Sequence, residues 1–296
     1  MRDILVTGAS GQLGTELARA ALPGGWRVVA MTSNDLNLSD RDAIAATIGQ
    51  RQWAAVINGA AYTAVDKAES DVVAAWQINA LAPAAIAVAC AKADIPLVQV
   101  STDYVFDGSK RGAWEVGDPV GPIGVYGASK LGGELAVTTS GARHAIVRTA
   151  WVVSAHSNNF VKTMLRLAAD RNELRVVADQ SGSPTGAADL AAALVTIAVQ
   201  MADDPAAASG TWHFANAGPT NWADFAAAIF AGSAARGGPS ASVIPIPGSE
   251  YPTPARRPVN SLLGTGVIQR DYGIAPRPWA AALDDILDEL IGKRSA

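Results

Sequence analysis

The chain has 296 residues, 49% hydrophobic and 17% charged, with 27 acidic against 23 basic side chains and a net charge of −4. A field of that sign attracts no polyanion, which excludes nucleic acid as a partner, and the length allows one large domain or two unequal lobes with a cleft between them. A single cysteine, Cys90, excludes an intrachain disulfide and fits a reducing compartment.

The apolar run after Met1 is too short for a signal peptide and moves directly into a strand. The longest apolar helix candidate, 187–202, is interrupted by Asp189 and Gln200 and falls short of the ~20 residues that span a bilayer. A cytoplasmic protein with no membrane partner is expected.

Residues 4–7 form a short apolar strand that runs into Gly8-Ala9-Ser10-Gly11-Gln12-Leu13-Gly14 and a helical pattern through Ala21. Strand, glycine turn and helix in that order suit a pyrophosphate. Glycines three apart permit a tight turn and close backbone approach, and the helix N-terminus offers free N–H groups and a positive dipole end. The next strand, 27–31, ends in Thr32-Ser33-Asn34, with no acid where an NAD-selective site binds the ribose 2′-hydroxyl. NADPH is therefore expected, with NADH also accommodated. Residues 35–40 then lead into a helix with Ser39 or Asp40 as its N-cap.

A third strand, 54–58, is followed by Gly59-Ala60-Ala61-Tyr62, where small residues let a flat ligand lie against the backbone. In the helix beyond, Asn79 precedes Pro83 by four residues. Proline has no N–H to donate, so the Asn79 carbonyl is freed and a kink is expected, with a water at that carbonyl linking toward Lys130.

Residues 95–100 make a fully apolar strand with Ser101-Thr102-Asp103-Tyr104 at its carboxyl end. Ligands of open α/β sheets bind outside such ends, so Thr102 is placed to hydrogen-bond a substrate oxygen. After the Gly/Pro-rich loop 117–124 comes Tyr126-Gly-Ala-Ser-Lys130. On a helix this spacing puts a phenol and an ammonium one turn apart. A phenol of ordinary pKa about 10 becomes useful in acid–base chemistry when a fixed cation favours its phenolate. The strand 144–153, carrying Arg148 and Trp151, continues an alternation that predicts an α/β fold with a Rossmann-type, doubly wound parallel sheet.

From Ser154 the alternation loosens: a helix over 159–169, a strand at 175–177, a turn at 182–184, an Ala-rich helix from Ala187, a strand at 211–215, a helix opening near Asn221, the stretch 242–247, and the Pro-rich stretch 251–258. The expected division is a dinucleotide-binding domain over 1–153, to which 186–216 returns, and a smaller α/β substrate-binding lobe built mainly from 154–185 and 217–296.

With the glycine turn, Ser-Thr-Asp-Tyr-Val-Phe and Tyr-x-x-x-Lys in this order, the chain resembles the extended short-chain dehydrogenase/reductases. Blocks at 58–69, 101–108, 126–134, 158–167, 179–186 and 251–261 look more closely like those of the dTDP-4-dehydrorhamnose reductases. Thr-Ala-Val-Asp-Lys-Ala-Glu (63–69) and Tyr-Pro-Thr-Pro-Ala-Arg-Arg-Pro (251–258) are the branch-specific ones. This resemblance implies reduction of the 4-keto group of dTDP-4-dehydro-L-rhamnose to dTDP-L-rhamnose by NADPH or NADH, in a monomer or homodimer that binds the sugar nucleotide in its smaller lobe. It implies that Tyr126 protonates the C4 oxygen, that Lys130 lowers the Tyr126 pKa and holds the nicotinamide ribose, and that Thr102 bonds the same oxygen. Gly11, Gln12 and Leu13 would face the pyrophosphate in a turn shaped by Gly8 and Gly14. Thr32, Asn37 and Leu38 would lie at the adenine end, and Ala60, Ala61 and Tyr62 along the inner half of the cofactor. Val65, Asp103, Tyr104 and Trp151 would line the sugar pocket, with Arg257 on the dTDP phosphates, which guanidinium suits bidentately.

The chain departs from the family pattern in places. Asn37 replaces a common Asp near the adenine, Gly124 stands where an Asn commonly precedes Val-Tyr-Gly, and Val153 replaces a frequent Tyr. Some members join a dimer through Mg²⁺ on glutamates. Glu16 matches one of these, but Ala188 occupies a second position with Asp189 beside it, so no metal site is expected. Two other readings stand beside the reductase. An epimerase or dehydratase of another nucleotide sugar would share the Tyr and Lys, although a dehydratase generally needs an extra acid and base and only Asp103 offers itself; a non-catalytic regulatory subunit would have no need of Tyr126 and Lys130.

Overall fold

Side chains alternating between two apolar layers define the main sheet of the computed structural model, which describes residues 1–293. In β1 (Arg2–Thr7), Ile4 and Val6 join one layer and Leu5 the other. The same alternation holds in β3 (Ala55–Asn58), β4 (Leu97–Thr102) and β5 (His144–Thr149), so both faces of these strands are buried. With β2 (Trp26–Met31) and β10 (Gly210–His213) they form a six-stranded sheet in the order β10-β5-β4-β3-β1-β2, with every pairing parallel. Parallel strands need crossover helices, and these cover both faces. One layer holds α1 (Gln12–Arg19) and α8 (Ala187–Asp203); the other holds α2 (Arg41–Gly49), α5 (Ala82–Ala93) and α6 (Val125–Thr138). Because the order reverses between β1 and β3, the carboxyl ends of those two strands frame a crevice.

Local chemistry sets the helix starts. Asp40 caps α2, its carboxylate accepting the N–H groups of Asp42 and Ala43 at 3.0 Å each. Asn159 caps α7 (Phe160–Ala168) through the Lys162 N–H, and Asn221 caps α9 (Trp222–Ala234) through that of Asp224. Two further short helices, α3 (Val65–Ala68) and α4 (Val72–Trp76), lie between β3 and α5.

The expected kink near Pro83 takes the form of a π-turn over Gln77–Leu81, with Pro83 in the first turn of α5. A widened turn is one way a helix accommodates a missing N–H. The Asn79 carbonyl faces Gly133 of α6, and the Asn79 side chain is spent on Ser129 Oγ at 3.0 Å and on both backbone groups of Tyr62. The rod Val72–Ala93 is 22 residues long and, by length and composition alone, apolar enough to cross a membrane, so it and not 187–202 is the longest such candidate among the described residues. Ala75, Ala82, Ile86, Ala87 and Cys90 face the core, while Val73 and Val88 stay exposed.

The strand expected over 144–153 ends at Thr149. Trp151 has a left-handed φ of +50°, and the chain resumes as β6 (Val152–Val153), which pairs with β9 (Thr185–Gly186) and not with the main sheet. Beyond it a separate apolar cluster forms around Val161, Met164, Phe225, Ile229, Phe230 and Leu287. It draws on α7, α9, α11 (Trp279–Leu290) and the parallel pair of β7 (Glu173–Val177) with β12 (Ser242–Ile246). The pair β8 (Ser181–Gly182) and β11 (Thr220–Asn221) and the helix α10 (Gly266–Tyr272) complete the chain.

Helix α6 sits unusually close to its neighbours. A Cβ on Gly127 would lie 2.1 Å from the Tyr104 carbonyl oxygen, and one on Gly133 would lie 2.2 Å from that of Asn79. Both obstacles are backbone, so Gly133→Ala should destabilise by about 1–3 kcal/mol despite the better helix propensity of alanine, seen as a lower midpoint in urea unfolding.

Candidate active site

The crevice at the carboxyl ends of β1, β3 and β4 opens into a cleft of about 600 Å³. Its floor is the glycine turn. Gly8 adopts φ +79°, and a Cβ there would lie 2.8 Å from the Ala60 Cα; a Cβ on Gly14 would lie 2.1 Å from the Gly8 carbonyl oxygen. Only glycine permits both approaches. Gly11 stands at the N-cap of α1 with no side-chain cap, which leaves the first N–H groups of that helix free for a phosphate.

Gly8, Gly11, Gln12, Leu13 and Gly14 line the cleft with Thr32, Asn37 and Leu38 at one end. Ala60 and Ala61 lie along it, and Val65, Thr102, Asp103, Tyr104, Tyr126, Lys130 and Trp151 close the other. Two residues expected from the sequence are not in its wall. Tyr62 hydrogen-bonds Asp71 through its hydroxyl at 3.0 Å, and Arg257 sits at the rim, paired with Asp66 at 2.6 Å and 3.4 Å from the Tyr104 hydroxyl. The Gln12 amide reaches across to the Val152 carbonyl and accepts from the Ser154 hydroxyl at 2.9 Å, fastening the glycine turn to the segment after Trp151.

At the Tyr126 end of the cleft the phenol is driven well above its ordinary pKa, first by burial and then by the negative charge of Asp103, while the Thr102 hydroxyl works the other way. Its resting form is therefore the neutral phenol. Lys130 is 4% exposed and donates from Nζ to the Val100 carbonyl at 2.7 Å. Burial brings its ammonium down to about 8, and Glu134 one turn later opposes the fall. Glu134 itself is clamped by Arg148 at 2.9 and 2.7 Å and accepts from Ser101. Asp103, beside Thr102, is raised to about 6 by burial against the hydrogen bonds of Ser261 and Thr102. Tyr104 packs edge-on against Tyr126 with centroids 5.3 Å apart.

Three features escaped the sequence. Asp35 folds back onto the end of β2, accepting from the Thr32 N–H at 2.9 Å and its hydroxyl at 2.7 Å, so the rim read as neutral carries a carboxylate whose pKa those bonds lower. An Asp three residues after a Thr is the visible signal. Trp151 stacks on Trp222 at 3.5 Å, and Gly182 leaves room for its ring. Glu69 reaches the first N–H of α6, a contact between residues 56 apart that no local pattern announces.

Among the described residues, one group offers metal-ligating atoms close together: those of Glu16, His156 and Glu289 lie within 4.8 Å of one another. Arg19 already places its guanidinium among them, 2.8 Å from Glu289 and against His156 Nε2. Ala188 contributes no ligand, and the Arg19 guanidinium supplies one positive charge to the two carboxylates of this group.

Residues 1–291 match the family model described as the RmlD substrate binding domain. A dTDP-4-dehydrorhamnose reductase of Burkholderia thailandensis is 41% identical over 98% of this chain and 99% of its own, and one of Escherichia coli is 40% identical over 97% and 98%. Among solved structures, a dTDP-4-dehydrorhamnose reductase of Clostridium acetobutylicum superposes with a TM-score of 0.90 at 36% identity over 97% of this chain and 99% of its own. That of Bacillus anthracis, solved in complex with NADP, gives 0.89 at 33% identity over 98% and 100%. Matched along nearly its full length in sequence and in fold, the chain belongs to the dTDP-4-dehydrorhamnose reductase family.

Proposed function

We propose that the chain reduces the 4-keto group of dTDP-4-dehydro-L-rhamnose to dTDP-L-rhamnose in the cytoplasm, using NADPH and also accommodating NADH. The observation that carries this reading is the sharing of one cleft by an open glycine turn, the Tyr126 phenol and the buried Lys130 ammonium. The relatives named for this reaction span the whole chain, and one was solved with NADP. A regulatory subunit would have no use for a buried cation beside a neutral phenol, and a 4,6-dehydratase and a 4-epimerase, though they share the fold over nearly the full length, are only 17% and 15% identical against 41% and 40% for the reductases.

When bound, the reduced nicotinamide supplies a hydride to C4 of the sugar. The chain does the rest. The uncapped N–H groups at the start of α1, beyond Gly11, hold the pyrophosphate, and Ala60 and Ala61 let the inner half of the cofactor lie flat. Tyr126, kept protonated by burial, gives its proton to the carbonyl oxygen, so that C=O becomes CH–OH and a phenolate remains. Lys130, charged below about pH 8, stabilises that phenolate and holds the nicotinamide ribose. Thr102, whose hydroxyl donates to Asp103 at 2.9 Å without a ligand, would turn that proton to the same carbonyl oxygen. Val65, Asp103, Tyr104 and Trp151 enclose the sugar, and Arg257 at the rim meets the diphosphate.

Mixing the protein with NADPH and the dTDP-4-keto sugar should consume NADPH absorbance; a flat trace would refute the reading. Tyr126→Phe should lower kcat by at least about a thousandfold while leaving NADPH affinity within about threefold, and an active Phe variant would remove Tyr126 as donor. Because Lys130 loses its proton as pH rises through about 8, kcat/KM for NADPH, which reports the free enzyme, should fall on the alkaline side with a midpoint near that value. A profile level to pH 10 would contradict the role given to Lys130.

A further inference from the structure

The helix α3 is only four residues long and has no side-chain cap, yet carboxylates on it and at its end make two long-range contacts. Asp66 accepts the backbone N–H of Ala255 at 3.1 Å and the guanidinium of Arg257 at 2.6 Å, reaching a loop 189 residues further along the chain. Glu69 accepts the backbone N–H of Val125 at 2.8 Å, and Val125 opens α6 immediately before Tyr126.

This second contact serves a specific need. A helix start leaves four N–H groups without partners, and Gly124 at the N-cap of α6 has no side chain to offer. The Glu69 oxygen stands 2.8 Å from where a Cβ on Gly124 would be, so the carboxylate fills the place of the missing cap and brings negative charge to the positive end of the helix. The first contact closes a ring. Arg257 continues from Asp66 toward the Tyr104 hydroxyl at 3.4 Å, and Tyr104 lies edge-on to Tyr126. Loop, α3 and catalytic helix are therefore joined twice, once through backbone amides and once through side chains.

We propose that α3 is a brace with two positioning residues: Asp66 sets the loop that presents Arg257 to the sugar nucleotide, and Glu69 sets the start of the helix that presents Tyr126 to the carbonyl. This rests on the roles given to Tyr126 and Arg257 above. Neither carboxylate lines the cleft. The half-buried, charge-assisted contact of Asp66 with Arg257 fixes the direction of the guanidinium, which is an orienting use. The two branch-specific motifs of the sequence, 63–69 and 251–258, are the two sides of this joint.

The test is steady-state kinetics of the full chain with NADPH and the dTDP-4-keto sugar. Glu69→Ala should lower kcat about tenfold while KM for the sugar stays within about twofold, since a small misplacement of the donor affects the chemical step. Glu69→Gln, which keeps an acceptor oxygen at the same reach, should restore at least about half of kcat. Asp66→Ala should raise KM for the sugar about tenfold and leave kcat within about twofold. Should Glu69→Ala fail to fold, Glu69→Asp, one methylene too short, must show the same loss of kcat. Wild-type kcat in Glu69→Ala or Glu69→Asp, a Gln variant as slow as the Ala variant, or an unchanged KM in Asp66→Ala would each overturn the brace. Inactivity of the wild-type chain would instead overturn the reductase reading beneath it.

Discussion

One buried ammonium sets the electrostatics of the cleft. Lys130 gives up almost all its water, keeps a single carbonyl partner, and has Glu134 as its nearest compensating acid. That acid is already shared with Arg148, so the interior between α6 and β5 carries two cations against one carboxylate. Such an excess is costly in a low dielectric, and it is tolerable where an anion is meant to arrive. On the proposed function, a dinucleotide pyrophosphate at the glycine turn and a phenolate at Tyr126 would be anions of that kind. The same burial that lowers Lys130 raises Tyr126, so the pair rests as a proton-bearing donor beside a cation close to losing its charge.

Much of this was legible in the sequence. Glycines three apart after the first apolar run, strands alternating with helices, and Tyr126 four residues before Lys130 are short-range patterns, and the fold converts each directly into a turn, a parallel sheet and a shared helix face. Asp40 is the cap expected beside Ser39, and the helices expected to open near Asn159 and Asn221 do so on those side chains, because capping is decided within one turn. What stayed hidden depends on chain separation or on one residue's backbone. Apolar periodicity carried the strand 144–153 straight through Trp151, whose left-handed φ breaks it. Arg257 reads as a free phosphate ligand until Asp66 is seen to hold it. Tyr62 reads as a cofactor contact, yet its hydroxyl turns to Asp71.

The departures from the family pattern also have local physical settings. Asn37, in place of an Asp, accepts the Ser39 N–H at 3.0 Å through its amide oxygen, so it shapes the turn at the adenine end without charge. Asp35, two residues earlier, is where the charge at that end resides. Gly124, lacking a capping side chain, is served by Glu69 from another element. Arg19, set among Glu16, His156 and Glu289, brings positive charge to that group by a side chain.

Cys90 lies on α5 with no exposed surface, and burial pushes its thiol up to about 12. As the only sulfhydryl in the chain, it meets alkylating reagents or peroxide only when α5 lifts from the sheet, since the thiolate that reacts is both scarce and covered. Its labelling rate is therefore a clock for opening of that layer, blind to events in the cleft unless a ligand bound there slows the breathing of the helix behind it.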